Sequence, residues 1–143
     1  MNESTVQPMT GRCLCGAVRY VCGPLLDAAA FCHCESCRRA SGAHSVAWLT
    51  VRGADFSYTA GAPRRFASSP GVQREFCPQC GSPLTYRNAR RPDEVDVILC
   101  SLDRPAGVVP ADHVWMRDAL PWDAPHDGRV QHPAGRTATA VGS

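Results

Sequence analysis

The chain has 143 residues, 44% of them hydrophobic, and a formal net charge of +2, the size and apolar content of one domain with a modest core. All fifteen basic residues are Arg, with pairs at Arg38 and Arg39, Arg64 and Arg65, and Arg90 and Arg91, but no dense basic run of the kind that tracks phosphates, so no nucleic-acid partner is expected. No stretch approaches the ~18 apolar residues of a membrane helix and residues 1–10 lack the apolar centre of a signal peptide, so a cytoplasmic protein without a membrane partner is expected.

In chain order, residues 1–10 read as a flexible leader. Residues 12–23 alternate around Val18, Tyr20 and Cys22 as one face of a strand would. A short apolar run over 28–32 leads into a cysteine knuckle, and 35–40 suit one helical turn that Gly42 ends. Residues 44–51, rich in Val, Trp and Thr, predict a strand. Weaker strands are expected at 56–59, 64–67 and Val72–Phe76, then at 83–87 and 95–100, with a short one at 113–116. The 12 Gly and 12 Pro punctuate the chain too often for long helices. One mainly β domain over 11–128 is expected, followed by a disordered tail at 129–143, where small and polar residues prevail.

Nine cysteines in a reducing cytosol read as metal ligands or catalytic thiols rather than disulfides. Seven of them cluster: Cys13 and Cys15 as C-x-C, Cys32, Cys34 and Cys37 as C-x-C-x-x-C, and Cys77 and Cys80 as C-x-x-C. Such spacing lets thiolates of one turn bite a single ion while knuckle N–H groups offset their charge. Tetrahedral zinc takes four ligands in a structural site, or three plus an open position in a catalytic one. The seven divide naturally into Cys13, Cys15, Cys77 and Cys80 for a structural zinc and Cys32, Cys34 and Cys37 for a second, catalytic zinc. A rival partition joins Cys34 and Cys37 with Cys77 and Cys80 as a zinc ribbon. A fourth ligand for the trio could come from His33, His44, Cys22 or Cys100.

The remaining residues carry plainer expectations. Cys22 and Cys100 sit on apolar strand patterns and read as core thiols. His33, between two ligands, is expected to turn its ring away from the metal. His113 reads as a packed or surface histidine, and Trp48, Trp115 and Trp122 as core. Arg38 and Arg39 directly follow the trio, where they would either offset its negative charge and hold a substrate carboxylate or stand as solvated surface arginines.

The segments GRCLCGAVRY, FCHCESCRRASGAHSVAWLTV and FCPQCGSPLTYR, with SLDRP, HVWMRDALPW and the Asp127-Gly128 pair downstream, resemble the glutathione-dependent formaldehyde-activating enzymes, whose domain is shared with centromere protein V. The resemblance runs from about Gly11 to Gly128. It departs from the family pattern at Arg129 and Val130, where Leu-Pro is common, and at His44 and Ser45, where an apolar or aromatic residue is common. It implies a compact β-tent fold of short antiparallel strands with zinc knuckles, carrying two zincs divided as above. It further implies a carbon–sulfur lyase or synthase joining glutathione, or another small thiol, to formaldehyde or a related small carbonyl. A related enzyme with a different small substrate and a non-catalytic zinc module stay open as alternatives, as does a homodimer.

Overall fold

In the computed structural model, which describes residues 7–136, the chain is mainly β. Strands β1 (Met9–Arg12), β2 (Arg19–Cys22) and β5 (Phe56–Ala60) form a small antiparallel sheet in the order β1-β2-β5. The larger sheet contains β3 (Ala30–Cys32), β4 (Val46–Arg52), β6 (Arg64–Ser69), β7 (Val72–Phe76), β8 (Pro83–Asn88), β9 (Glu94–Ile98), β10 (Asp112–Val114) and β11 (Val130–Gln131). Its order is β11-β10-β3-β4-β9-β8-β7-β6. The expectation of antiparallel strands needs one correction: β10 runs parallel to both β3 and β11. A long connection from β3 through the centre of the sheet returns the chain beside β3 in its own direction, as parallel pairing requires. No helix among the described residues is long and apolar enough to cross a membrane.

The period of two along the central strands decides what each face does. On β4, Leu49 and Val51 turn inward and are 1% and 0% exposed. They meet Val95 and Val97 of β9, and Tyr20 and Phe56 of the small sheet stack with ring centroids 5.3 Å apart. Burying each such aliphatic side chain is worth about 1.5–3 kcal/mol. The alternate residues face the other way. Register aligns Thr50 with Asp96, Asp96 with Tyr86 and Tyr86 with Arg74, so these four form one polar row across β4, β9, β8 and β7.

Glu75, beside Arg74 in sequence, lies on the opposite face and is 1% exposed. Its carboxylate accepts hydrogen bonds from Thr85 (2.6 Å), Tyr58 (2.9 Å), Arg65 (2.8 Å) and Arg87 (3.3 Å). Burial alone would push its carboxyl up, but these donors and the Arg87 charge hold it below the usual carboxylate range.

The termini differ from expectation. Met9 and Thr10 of the expected leader belong to β1. The tail expected from residue 129 is instead ordered through Arg136, because it completes the hydrogen bonding of β10 and the turn after it. His132 N donates to His113 O at 2.8 Å and Trp115 N to Ala134 O at 2.9 Å. Arg136 pairs with the buried Asp112 at 2.7 Å and donates to the Ala28 carbonyl at 2.7 Å. Residues 1–6 and 137–143 of the expected leader and tail lie outside the described residues.

Candidate metal centres and the adjoining cavity

Cys13 and Cys15 occupy the β1–β2 turn, and Cys77 and Cys80 the β7–β8 turn. Each knuckle reverses through a glycine in the left-handed region, Gly16 at φ 80° and Gly81 at φ 79°, which a residue with a Cβ adopts at a cost. The four Sγ atoms all lie within 4.8 Å of one another. Cys13 Sγ is 3.6 Å from Cys15 Sγ, which is 3.8 Å from Cys77 Sγ. A tetrahedron with zinc–sulfur bonds of about 2.3 Å has edges of about 3.8 Å, so this donor set fits zinc. Backbone N–H groups of Val18, Gln79 and Cys80 donate to the Cys13 and Cys77 sulfurs at 3.3–3.4 Å. The Ser82 hydroxyl holds the Cys80 thiol down to about 5. An ion held by this cluster would staple the start of the domain to its middle.

The second group is local. Cys32 ends β3, Cys34 is the N-cap of α1 (Glu35–Ser41), and Cys37 lies on that helix with its N–H donating to Cys34 Sγ at 3.3 Å. Their Sγ atoms also lie within 4.8 Å of one another. Thiol hydrogen bonds from Cys32 and Cys37 pull Cys34 down, making it the preferred thiolate of the trio, while Cys32 is pushed up. The structure thus brings together four sulfurs and three. The rival ribbon of Cys34 and Cys37 with Cys77 and Cys80 is not assembled.

No fourth ligand joins the trio among the described residues. Cys22 is 1% exposed in the main core, as its strand pattern predicted, whereas Cys100 is exposed, because the chain leaves β9 at Ile98 for a 3-10 turn. His33 turns away from the trio. Its Nε2 lies 2.9 Å from His113 Nδ1, and His113 Nε2 lies 2.8 Å from Asp127 Oδ2. On its other side His33 Nδ1 is 3.4 Å from Asp123 Oδ2, which His44 Nδ1 approaches to 2.7 Å. His113 is therefore the packed histidine of the two expected readings. That imidazole and the Arg129 backbone N–H hold the Asp127 carboxyl down to about 2.

A cavity of about 830 Å³ opens beside the trio. Cys32, Cys34 and Cys37 line it, with Trp48 and Trp115 as aromatic walls and the Thr50–Asp96–Tyr86–Arg74 row as its floor. Trp48 and Trp115 pack against the buried cluster of the trio and also wall the cavity, whereas Trp122, expected in the core, is 73% exposed. Trp115 holds φ 59°, the only non-glycine at positive φ among the described residues, and strain of that kind concentrates at functional sites. Arg38 and Arg39 do not reach the cavity. They line a separate groove with His44 and the exposed Trp122, and Arg39 is paired with Glu35 at 2.8 Å. Four arginines line the trio's cavity, Arg90, Arg91, Arg136 and, on its floor, Arg74. The position of Arg74 depends on strand register, which no local signal around the trio announces.

Known proteins now bear on this arrangement. The family model for the glutathione-dependent formaldehyde-activating enzyme matches residues 8–118. The chain belongs to that family. A Halomonas elongata protein named after the same activity is 32% identical over 104 residues, which cover 66% of this chain and 66% of that protein. The chain thus spans about two thirds of that relative's length. A Rhodobacter sphaeroides protein of known crystal structure is similar with a TM-score of 0.57 and 25% identity, over 87% of this chain and 99% of that one. Within the formaldehyde-activating family's matched span lie both cysteine groups and the whole polar row. Asp123, Asp127 and Arg136, which buttress His33, His113 and Asp112, lie beyond it.

Proposed function

We propose that this formaldehyde-activating family member is a zinc-dependent carbon–sulfur lyase or synthase acting on the adduct of glutathione with formaldehyde or a related small carbonyl. The observation that carries this reading is the pairing of three convergent thiols with an open cavity. Cys32, Cys34 and Cys37 each stand at one wall of it. Their donor set leaves one tetrahedral position for a substrate atom, whereas Cys13, Cys15, Cys77 and Cys80 form a complete set of four. When bound by the trio, zinc supplies a positive centre that favours a thiolate or polarises a carbonyl oxygen.

The chemistry itself needs no oxidant. A carbon–sulfur bond forms between the thiol sulfur and the carbonyl carbon, the carbonyl electron pair moves to oxygen, and the thiol proton ends on that oxygen; the lyase direction reverses each change. The protein's own contribution is positioning. Trp48 and Trp115 give the small carbonyl an aromatic wall, and the N-terminal turn of α1 directs backbone N–H at the Cys34 sulfur. Three thiolates would leave a zinc(II) ion held there at net −1.

The test is exchange between formaldehyde and glutathione at equilibrium, followed by NMR with catalytic amounts of the zinc-loaded protein. Exchange faster than in buffer, lost in Cys34→Ser, is expected. A rate equal to buffer at every protein concentration would overturn the reading and bring forward a different small substrate or a non-catalytic zinc module. Zinc per chain, expected to be two, checks the metal assignment, and a glutathione-induced change in the spectrum of cobalt substituted at the trio alone checks the open position. The cytoplasm, with millimolar thiols, is the compartment that suits such an activity.

A further inference from the structure

Charge around the cavity is not balanced, and the imbalance is local. Three carboxylates line it, Asp27, Glu94 and Asp96, and each is already paired. Arg91 holds Glu94 at 2.7 Å and Asp96 at 2.8 Å, and Arg136 holds Asp27 at 3.1 Å. Two other arginines line the same space, Arg74 and Arg90, and among the described residues neither has a carboxylate partner. Arg90 stands exposed at the rim. Arg74 is half-buried on the floor, with its guanidinium carbon 4.9 Å from the Tyr86 ring centroid and its Nε donating to Ser68 Oγ at 3.2 Å. Stacking on one face and a latch at Nε leave the two terminal NH2 groups of the fork to bind a carboxylate.

Building on the thiol-adduct reading, we infer that Arg74 is the specificity-determining residue that docks a carboxylate of the substrate, so that the site selects carboxylate-bearing thiols over neutral ones. The register that aligns Arg74 with Tyr86, Asp96 and Thr50 puts its guanidinium on the same floor that runs toward Trp48 and the trio. Arg91 cannot take this role, because Glu94 and Asp96 already occupy its fork.

The experiment is a binding titration on the full chain, read by the fluorescence of Trp48 and Trp115, with three probes: glutathione, its dimethyl ester and 2-mercaptoethanol. Glutathione is expected to bind more tightly than its ester in the wild type. Arg74→Met should weaken glutathione at least about tenfold, as loss of one charge-assisted pair implies, while leaving the ester and 2-mercaptoethanol within twofold. Arg74→Lys should recover part of the loss, and Arg104→Met, outside the cavity, should change nothing. In turnover Arg74→Met should raise KM for glutathione with kcat retained. Equal weakening of acid and ester, no weakening of either, or no saturable glutathione response in the wild type would each overturn the assignment. Discrimination between acid and ester without any exchange activity would instead uphold Arg74 and overturn the proposed reaction.

Discussion

His33 Nε2 lies 2.9 Å from His113 Nδ1, tying the backbone between two cysteines of the trio to strand β10. His113 is fixed from behind by Asp127 at 2.8 Å and by Phe31, whose ring stacks on it at 4.9 Å. The trio is thus held through a histidine that touches none of its sulfurs.

Removing His113 should therefore loosen the trio and spare the other centre. His113→Ala is expected to cost about 2–3 kcal/mol, since it leaves His33 and Asp127 without their partner and opens a cavity. Zinc analysis after dialysis against a weak chelator should show the trio's metal lost and the four-cysteine site still loaded. His113→Gln, able to bond both neighbours, should restore part of the retention.

The two cysteine groups should differ in what their loss does. On the proposed zinc assignment, Cys77→Ser removes a ligand that would join the β7–β8 turn to the β1–β2 turn, and because metal binding there would be folding energy, unfolding of the small sheet at ordinary temperature is expected. Cys34→Ser should retain the far-ultraviolet circular dichroism and a cooperative melt while abolishing activity. A Cys34→Ser melt as damaged as that of Cys77→Ser would contradict the architectural role assigned to only one of them.

Acid stability should report Glu75. Its folded carboxyl titrates below its ordinary value, so its contribution is fully present above the unfolded value near ~4.3 and is lost as pH falls through the lower folded value. Denaturant titrations between pH 3 and pH 6 should show stability declining below about pH 4. Glu75→Gln should lower stability by about 2 kcal/mol at neutral pH and flatten that decline.

The core should behave as a single packed layer between the two sheets. Leu49→Ala, at a side chain 1% exposed, is expected to cost about 2–5 kcal/mol by chemical denaturation. Leu14→Ala, 82% exposed, should cost less than about 0.5 kcal/mol.

The seven clustered cysteines, the short strands and the left-handed Gly42 after the trio's helix were legible in the chain itself, because ligand spacing and turn chemistry are local properties. Composition also marked 44–51 as a strand, although which of its faces met the core and which the cavity depended on the partner sheet. Tertiary structure alone decided the rest. The parallel return of β10, the ordering of 129–136 and the histidine–aspartate chain behind the trio all arise from pairings between segments about eighty or more residues apart, or across the turn that precedes β11. Likewise, Arg38 and Arg39 follow the trio in sequence but point to another groove, whereas Arg74 reaches the cavity through the register of β7 on β8. Sequence determined which residues can hold metal, since that rests on donor type and spacing. Only the fold determined which charge faces the substrate, since that rests on which strands lie side by side.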